Sequence, residues 1–202
     1  VFETAEWFNQ QKNDDRIISV PQVAWESTAY QWSYGNLVNP LYTLNSKNPV
    51  VTLPYDRQGP GVDLLKAYKL SLYNPESTPS ANFLAYLNAR YVLNQKDFSY
   101  FHFRAPENAK VVEKYLSQDK SLKKIKTFGE WDIYEAKKTL PKIYGTTTME
   151  KVMNIEEVGE LDLSKKPAFI LGNTKQTFTS LKEGTIKTSF HKNTPTSYTV
   201  AI

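Results

Sequence analysis

The sequence predicts an α+β fold, with a mixed β-sheet flanked by helices and followed by the opening strands of a β-sandwich. Two observations support this fold class. Apolar residues recur at helical spacing in several segments, whereas in others they alternate at the two-residue period of a strand. Hydrophobic residues make up 40% of the 202 residues and aromatic residues 13%. That is enough apolar material for a real core and too much for a disordered chain.

Elements of the N-terminal third are read from apolar spacing and from the residues that interrupt it. Phe2, Ala5 and Phe8 share one helical face, and a short apolar run beginning at Arg16 ends before Pro21. The elements predicted here are, in order, a helix over 1–12, a strand over 16–20, an irregular section over 22–61 and a helix over 62–72.

The middle of the chain has clearer boundary signals. Thr78 is a suitable N-cap, and Pro79 fits the first turn of a helix, where its missing N–H costs nothing. The Gly129-Glu130 pair separates two runs of strand-forming residues and therefore predicts a β-hairpin. The elements predicted here are a helix from 78 to 88, a strand over 90–95, a helix over 107–116 and a hairpin of strands near 122–128 and 131–136.

The C-terminal part has a different character after Gly145. A helix is predicted over 149–161, a strand over 168–171, and a hairpin whose strands begin at 186 and at 198. We therefore expect two domains: an α/β domain over 1–147, then a helix–strand linker with the first hairpin of a truncated β-sandwich over 148–202. The chain begins without Met and ends on an apolar strand, so it is expected to be a fragment.

Composition excludes several classes of function. The chain has no cysteine, so it has no disulfide framework, thiol nucleophile or cysteine-based metal site. The net charge is +4, but 25 basic residues are interspersed with 21 acidic ones. The concentrated basic patch has no aromatic platform beside it, so no nucleic-acid partner is predicted. Its residues are Lys120, Lys123, Lys124 and Lys126. The sequence has no apolar run long enough to span a bilayer.

Four short motifs, taken in their order and spacing, carry a family resemblance. They are LNARYVL from Leu87, Tyr134-Glu135, LPKIY from Leu140 and PTSYTV from Pro195. This series resembles the extracytoplasmic region that follows the transmembrane helices in YfhO-type proteins and related GT-C-like glycosyltransferases that use polyprenol-linked sugars. The sequence departs from that pattern at Ala136, where Asn is usual, and at Lys142, where Arg is usual.

The resemblance implies a non-catalytic extracytoplasmic domain of a membrane glycosyltransferase-like protein, at the extracytoplasmic face of the cell membrane. The parent would transfer sugar from a polyprenyl-phosphate donor to an envelope glycan or protein. The implied partners are the transmembrane portion of the parent chain, the nearby membrane surface and a glycan or polyprenyl-linked sugar, with no cofactor. The alternative is a free-standing carbohydrate- or ligand-binding module without a catalytic parent.

An aromatic segment between Trp25 and Asn36 is the candidate ligand-binding site. Sugars stack on aromatic faces, and amide and carboxylate groups beside those faces hydrogen-bond to sugar hydroxyls. An alternative interpretation is that these aromatic residues pack in the core or face the membrane. The candidate site residues are Trp25, Glu26, Tyr30, Gln31, Trp32, Tyr34 and Asn36.

Other polar residues do not predict an autonomous active site. Glu130 with Asp132, and the pair at 160 and 162, have the spacing that places two carboxylates on one strand face for a cation or for hydrolysis. The favoured interpretation is a pair of solvent-facing acids on an edge hairpin. His102 and His191 lack the partner pattern of a zinc site or a catalytic triad. Two further residues are expected to be scaffold: Arg90 pairing with a neighbouring acid, and Lys137 as a solvated loop charge.

Overall fold

The computed structural model describes the chain over several ranges. The described residues are 1–20, 27–29, 31, 36–38, 41–44, 47–51, 60–73, 80–98, 109–142, 144, 146, 148–171, 189–194 and 197–201. The helices are α1 (Phe2–Asn9), α2 (Leu41–Leu44), α3 (Pro60–Tyr73), α4 (Ser80–Tyr86) and α5 (Ala109–Gln118), with two 3₁₀ helices, η1 (Glu156–Glu160) and η2 (Leu163–Lys165). Within these ranges, no helix combines the length and the apolar character that crossing a bilayer requires.

A five-stranded mixed sheet forms the centre, in the order β4-β1-β5-β7-β6. Strands β4, β1 and β5 are parallel, whereas β5, β7 and β6 are antiparallel. The predicted mixed sheet flanked by helices is therefore confirmed. The two-residue β4 was not predicted. The strands of this sheet are β1 (Arg16–Val20), β4 (Val50–Val51), β5 (Ala89–Gln95), β6 (Leu122–Phe128) and β7 (Trp131–Ala136).

Both faces of the inner strands β1 and β5 are covered, so nearly every residue of these two strands is buried. Val92 of β5 packs on one face with residues of α3, α4 and α5. Its neighbours Tyr91 and Leu93 point to the opposite face, where they pack with Phe8 of α1 and Leu41 of α2. Alternation along each strand thus supplies two separate apolar clusters, one on each side of the sheet.

Three two-stranded sheets complete the described structure. They are formed by β2 (Ser27–Ala29) with β3 (Asn36–Val38), β8 (Met149–Val152) with β9 (Ala168–Leu171), and β10 (Ser189–Thr194) with β11 (Ser197–Ala201). The last pair is antiparallel, so the predicted C-terminal hairpin is confirmed. The β-sandwich that it is expected to open stays a prediction.

The helix predicted over 149–161 is wrong. This segment forms strand β8, a turn and the 3₁₀ helix η1. The turn is held by reciprocal bonds: the Glu157 N–H donates to Asn154 Oδ1 (3.1 Å), and the Met153 N–H donates to Glu157 Oε2 (2.9 Å). Parallel pairing of β8 with β9 supplies hydrogen bonds that a helix would otherwise make. A tertiary contact therefore overrides the local apolar spacing.

The segment 148–171 is fixed to the rest of the chain by buried contacts. Asn82 of α4 is buried, and its side-chain amide donates to the carbonyls of Val158 (3.2 Å), Gly159 (2.7 Å) and Leu161 (2.8 Å). Val158 is fully buried within the cluster that contains α3, α4 and α5. These bonds connect η1 to the central sheet through α4.

Candidate functional site

The carboxyl ends of the parallel strands β1 and β5 lie side by side. Val20, the last residue of β1, pairs with Asn94 near the end of β5. Open sheets with parallel strands bind ligands at this end, beyond the carboxyl ends of the strands. The antiparallel strand β7 begins at the same end, because Asn94 also pairs with Asp132.

Asp132 is the centre of a polar cluster at this end. Its side chain is fully buried, although it is a carboxylate. The Lys124 ammonium lies 2.8 Å from Oδ1 and the Lys96 ammonium 3.0 Å from Oδ2. Thr127 Oγ1 donates a further hydrogen bond to Oδ1 (2.7 Å). A buried carboxylate requires such pairing, because an uncompensated charge inside a protein is strongly destabilising.

The electrostatics of this cluster keep Asp132 ionised. Burial alone would raise the pKa of its carboxyl, but the hydrogen bonds from Lys124, Thr127 and Lys96 outweigh burial and lower that pKa. Glu113 of α5 lies within 4.0 Å of both ammonium groups. Two lysines and two acids therefore balance in formal charge.

Asn94 adds an uncharged polar group beside the carboxylate. It is fully buried, and within the described part of the chain neither amide atom has a hydrogen-bond partner. Directly opposed residues of an antiparallel pair project to the same face, so Asn94 and Asp132 share one environment. The carboxyl end of the sheet is thus polar on the face that α5 covers.

One residue of the predicted aromatic segment is fixed at the same end of the strands, on the opposite face of the sheet. The Gln31 N–H donates to the Asp97 carbonyl (2.8 Å), and the Gln31 side-chain amide donates to the Phe98 carbonyl (3.0 Å). Asp97 is fixed in turn, because Trp131 Nε1 donates to its Oδ1 (2.7 Å). Gln31 therefore lies where strand β5 ends, beside the start of β7.

The other predicted ligand-binding residues are described less fully. Asn36 is the first residue of strand β3, of which the backbone is described. The remaining five lie outside the described residues, so their grouping around one ligand stays a prediction. They are Trp25, Glu26, Tyr30, Trp32 and Tyr34.

The prediction of solvent-facing acid pairs is wrong for Asp132. Strand β7 lies between β5 and β6, so it is not an edge strand, and its alternation directs Asp132 inward beneath α5. Glu130 is exposed in the turn before β7, whereas Asp162 caps η2 by accepting from the Ser164 N–H (3.0 Å). Within the described ranges, no group of three or more His, Asp or Glu side chains is placed to hold a metal ion.

Three of the four motifs that carry the family resemblance, those beginning at Leu87, Tyr134 and Leu140, meet at the opposite end of the sheet. Arg90 Nε lies 2.5 Å from Asp15 Oδ2, and Arg90 Nη1 lies 3.3 Å from Glu135 Oε1. The Asn88 side-chain amide donates to Asp15 Oδ1 (3.1 Å) and to the Leu140 carbonyl (2.8 Å). The prediction that Arg90 is a strand residue paired with a neighbouring acid is confirmed.

The same motif network extends into the loop after β7. Lys142 forms an ion pair with Asp14 (2.7 Å), so a basic side chain still occupies the position where Arg is usual in the resembled family. Lys137 is exposed. These motif residues attach the loops of 10–16 and 137–142 to the sheet. The spacing of these motifs therefore reflects how the loops attach to the sheet. The buried Asp132 cluster lies outside every motif.

The sequence contained one signal for that cluster. In the run from Trp131 to Tyr134, strand alternation places Asp132 on the same face as Tyr134. Helices on both faces of the sheet would bury that position, and a buried Asp requires nearby cations. The choice of Lys96 and Lys124 depends on strand order, which single-sequence patterns do not specify.

Comparison with known proteins identifies related folds. No protein-family model matches the chain, and no curated protein matches its sequence. Among solved structures, arabinofuranosyltransferase AftD from Mycobacteria matches 82% of this chain with a TM-score of 0.60 and 15% identity. A mutant of the same protein matches 76% with a TM-score of 0.61 and 14% identity. The chain spans 14% of the length of either structure, and at this identity the likeness shows the fold alone.

A third solved structure is more distant. The C-terminal globular domain of an oligosaccharyltransferase from Archaeoglobus fulgidus is matched over 67% of this chain and 95% of its own length. Its TM-score is 0.37 and its identity is 15%, a likeness too distant for inference. The common fold therefore rests on AftD.

Proposed function

We propose that this chain is a non-catalytic extracytoplasmic domain of a membrane-embedded, GT-C-like glycosyltransferase. In this proposal it supports transfer of sugar from a polyprenyl-phosphate donor to an envelope glycan or protein. The observation that carries the proposal is the fold shared with a segment of an arabinofuranosyltransferase over 82% of the chain. A domain of 1–147 followed by a smaller piece over 148–202 is part of the proposal.

The geometry of Asp132 supports a non-catalytic role. A general acid must carry a proton near neutral pH, whereas the lowered pKa of Asp132 keeps it ionised. A general base or nucleophile must reach the substrate, but this carboxylate is fully buried and is engaged by Lys96, Lys124 and Thr127. The cluster is suited to fixing this end of the sheet and not to chemistry.

The aromatic segment is the part that we propose contacts an acceptor or donor sugar. Its support is Gln31, which is fixed by two hydrogen bonds to the backbone beyond β5. Aromatic faces and amide groups held beside the end of β5 would orient a sugar without reacting with it.

The absence of cysteine from the chain gives a direct test of its location. In a cysteine-free version of the full-length parent protein, Lys66→Cys would place one thiol at an exposed position on α3. A membrane-impermeant maleimide added to intact cells should label that thiol. Ile133→Cys is the matched control, because Ile133 is fully buried and should be labelled after denaturation only. Labelling of Lys66→Cys only after the cytoplasmic side is opened would refute the extracytoplasmic location.

Sugar contact requires a separate measurement. The 202-residue chain and a Trp25→Ala, Trp32→Ala double variant would be compared on a glycan array and with polyprenyl-phosphate sugars. Phe2→Ala is the control, since Phe2 is 76% exposed and does not belong to the candidate segment. We expect the double variant to lose binding while remaining folded. Equal binding by all three proteins would remove the aromatic segment from the proposal.

The alternative is a free-standing carbohydrate-binding module. The two readings differ in what the full-length protein does when residues 1–202 are deleted. If the chain is a supporting domain, its deletion should reduce sugar transfer by the membrane part. A free-standing module has no membrane part that a deletion could impair.

A further inference from the structure

Exposed lysines line strand β6, the outer strand at one edge of the central sheet. Lys123 and Lys126 lie on the strand, and Lys120 lies just before it. The loop after β7 joins this edge, because the Lys137 N–H donates to the Ser121 carbonyl (2.9 Å) and Lys137 Nζ donates to the Lys120 carbonyl (2.5 Å). All of these lysines are exposed, and together with the next residue they are called the basic edge. Its residues are Lys120, Lys123, Lys126, Lys137 and Lys138.

The positive charge of the basic edge is only partly balanced: Lys138 lies close enough to Asp162 to help lower the pKa of that carboxyl, after the larger effect of the Ser164 hydrogen bonds. Among the described residues, no ion pair within 4.0 Å involves any of its five lysines. Glu135 lies opposite Lys123 in the β6–β7 ladder, but its carboxylate pairs with Arg90 instead. Asp119 and Glu130 lie beyond the two ends of the strand. Five exposed lysines therefore lie on or next to one outer strand, which is about 20 Å long at the rise of a strand.

Apolar side chains lie among these lysines. The register of β6 shifts between Lys124 and Lys126, at Ile125. Ile125 and Phe128 are half-buried against the α1 side of the sheet, and Lys126 Nζ lies 5.5 Å from the centre of the Phe128 ring. Lysine stems beside partly exposed apolar groups suit the boundary between lipid headgroups and water.

Protection of an open sheet edge accounts for part of this pattern. Lysines on an edge strand prevent it from pairing with another chain. That explanation covers Lys123 and Lys126, but not Lys137 and Lys138, which lie off the strand. We propose that the basic edge binds the headgroups of anionic phospholipids. An anionic lipid surface attracts each exposed lysine near it, whereas single-stranded nucleic acid is bound by stacking its bases on several aromatic side chains.

The proposal extends the proposed function, which places the parent protein in a membrane. It is tested by sedimentation of the 202-residue chain with vesicles of phosphatidylcholine alone or mixed with phosphatidylglycerol. We expect binding to the mixed vesicles only, with affinity that falls as salt is added. The triple variant Lys123→Gln, Lys126→Gln, Lys137→Gln should bind about 100-fold more weakly, at roughly fivefold per lysine.

A charge-matched control separates the basic edge from net charge. Lys12→Gln, Lys66→Gln, Lys151→Gln removes three exposed lysines that lie outside the basic edge and should change binding less than about twofold. If the first triple variant fails to fold, Lys120→Gln with Lys138→Gln tests the same surface off the strand, with a loss of about 25-fold. No binding to the anionic vesicles, equal binding to both vesicle types, or equal losses in the two triple variants would overturn the proposal. Maleimide labelling of the parent is independent of all of these outcomes.

Discussion

A buried carboxylate that pairs with two ammonium groups and accepts from a hydroxyl makes Asp132 important for stability. Asp132→Asn would leave Lys96 and Lys124 facing a neutral amide, and their side chains are 20% and 43% exposed. Because both lysines can still reach water, we expect the free energy of unfolding to fall by about 2–4 kcal/mol. This loss lies near the lower end of the range for breaking a buried ion pair. Urea denaturation measures this loss. Glu160→Gln is the control, since Glu160 is exposed and its substitution should change little.

The lowered pKa of Asp132 gives a second prediction at the residue scale. Its carboxyl has a lower pKa in the folded protein than the ordinary value of 3.8, so it stabilises the fold fully above that value. That stability is lost as the pH falls from about 4 through the lowered pKa. Unfolding free energies of the unmodified chain should therefore decline more steeply below pH 4 than those of Asp132→Asn. Parallel curves for the two proteins would show that another group controls acid unfolding.

Asn88 tests the network that joins the family motifs. It has a φ of +52°, and its side chain bonds to Asp15 and Leu140. Asn88→Ala removes both bonds and leaves a side chain in the left-handed region, for a loss of about 2–3 kcal/mol. Asn88→Gly removes the same bonds without that conformational cost, so it should be about 1 kcal/mol more stable than Asn88→Ala. If the alanine variant equals or exceeds the glycine variant in stability, the left-handed backbone carries no measurable cost.

At the scale of single elements, two glycines form a matched pair. A Cβ added at either Gly61 or Gly129 would meet no atom within 4 Å, so packing does not distinguish them. Gly61 lies in α3, where alanine should stabilise the helix by about 0.5 kcal/mol. Gly129 has a φ of +55° in the β6–β7 turn, and alanine there should destabilise the protein by about 1 kcal/mol. Thermal unfolding of both variants measures the difference in sign.

Most elements could be predicted where local signals were sufficient. Strand β1 follows from an apolar run that ends at Pro21, and the β6–β7 hairpin follows from Gly129 between two strand-forming runs. The helix prediction for 149–161 was wrong because the apolar spacing of that segment suits a helix. The pairing of β8 with β9 is a tertiary contact that local spacing cannot reveal. Local patterns therefore predicted elements and failed where a distant strand decided the conformation.

At the scale of the whole molecule, the candidate site depends on contacts that are distant in sequence. The bond from Gln31 to Asp97 and the pairing of Asp132 with Lys96 and Lys124 each follow from the strand order β1-β5-β7-β6. The sequence predicted Gln31 as a site residue from its aromatic neighbours, but it could not place that residue at the end of β5. The Asp132 cluster was missed because edge and inner strands of a hairpin look alike in sequence.

The proposed boundary at residue 147 leads to a prediction about truncated chains. Val152 and Val158 are buried in the cluster that holds α3, α4 and α5 together, and Asn82 bonds to three carbonyls of the following segment. The free energy of unfolding of a chain of residues 1–171 should therefore exceed that of a chain of 1–147 by about 3 kcal/mol or more, from burial of the two valines alone. Val158→Ala in the longer chain should remove about 2 kcal/mol of that difference. Equal stability of the two truncated chains, with no effect of Val158→Ala, would instead show that the first 147 residues fold without support from η1.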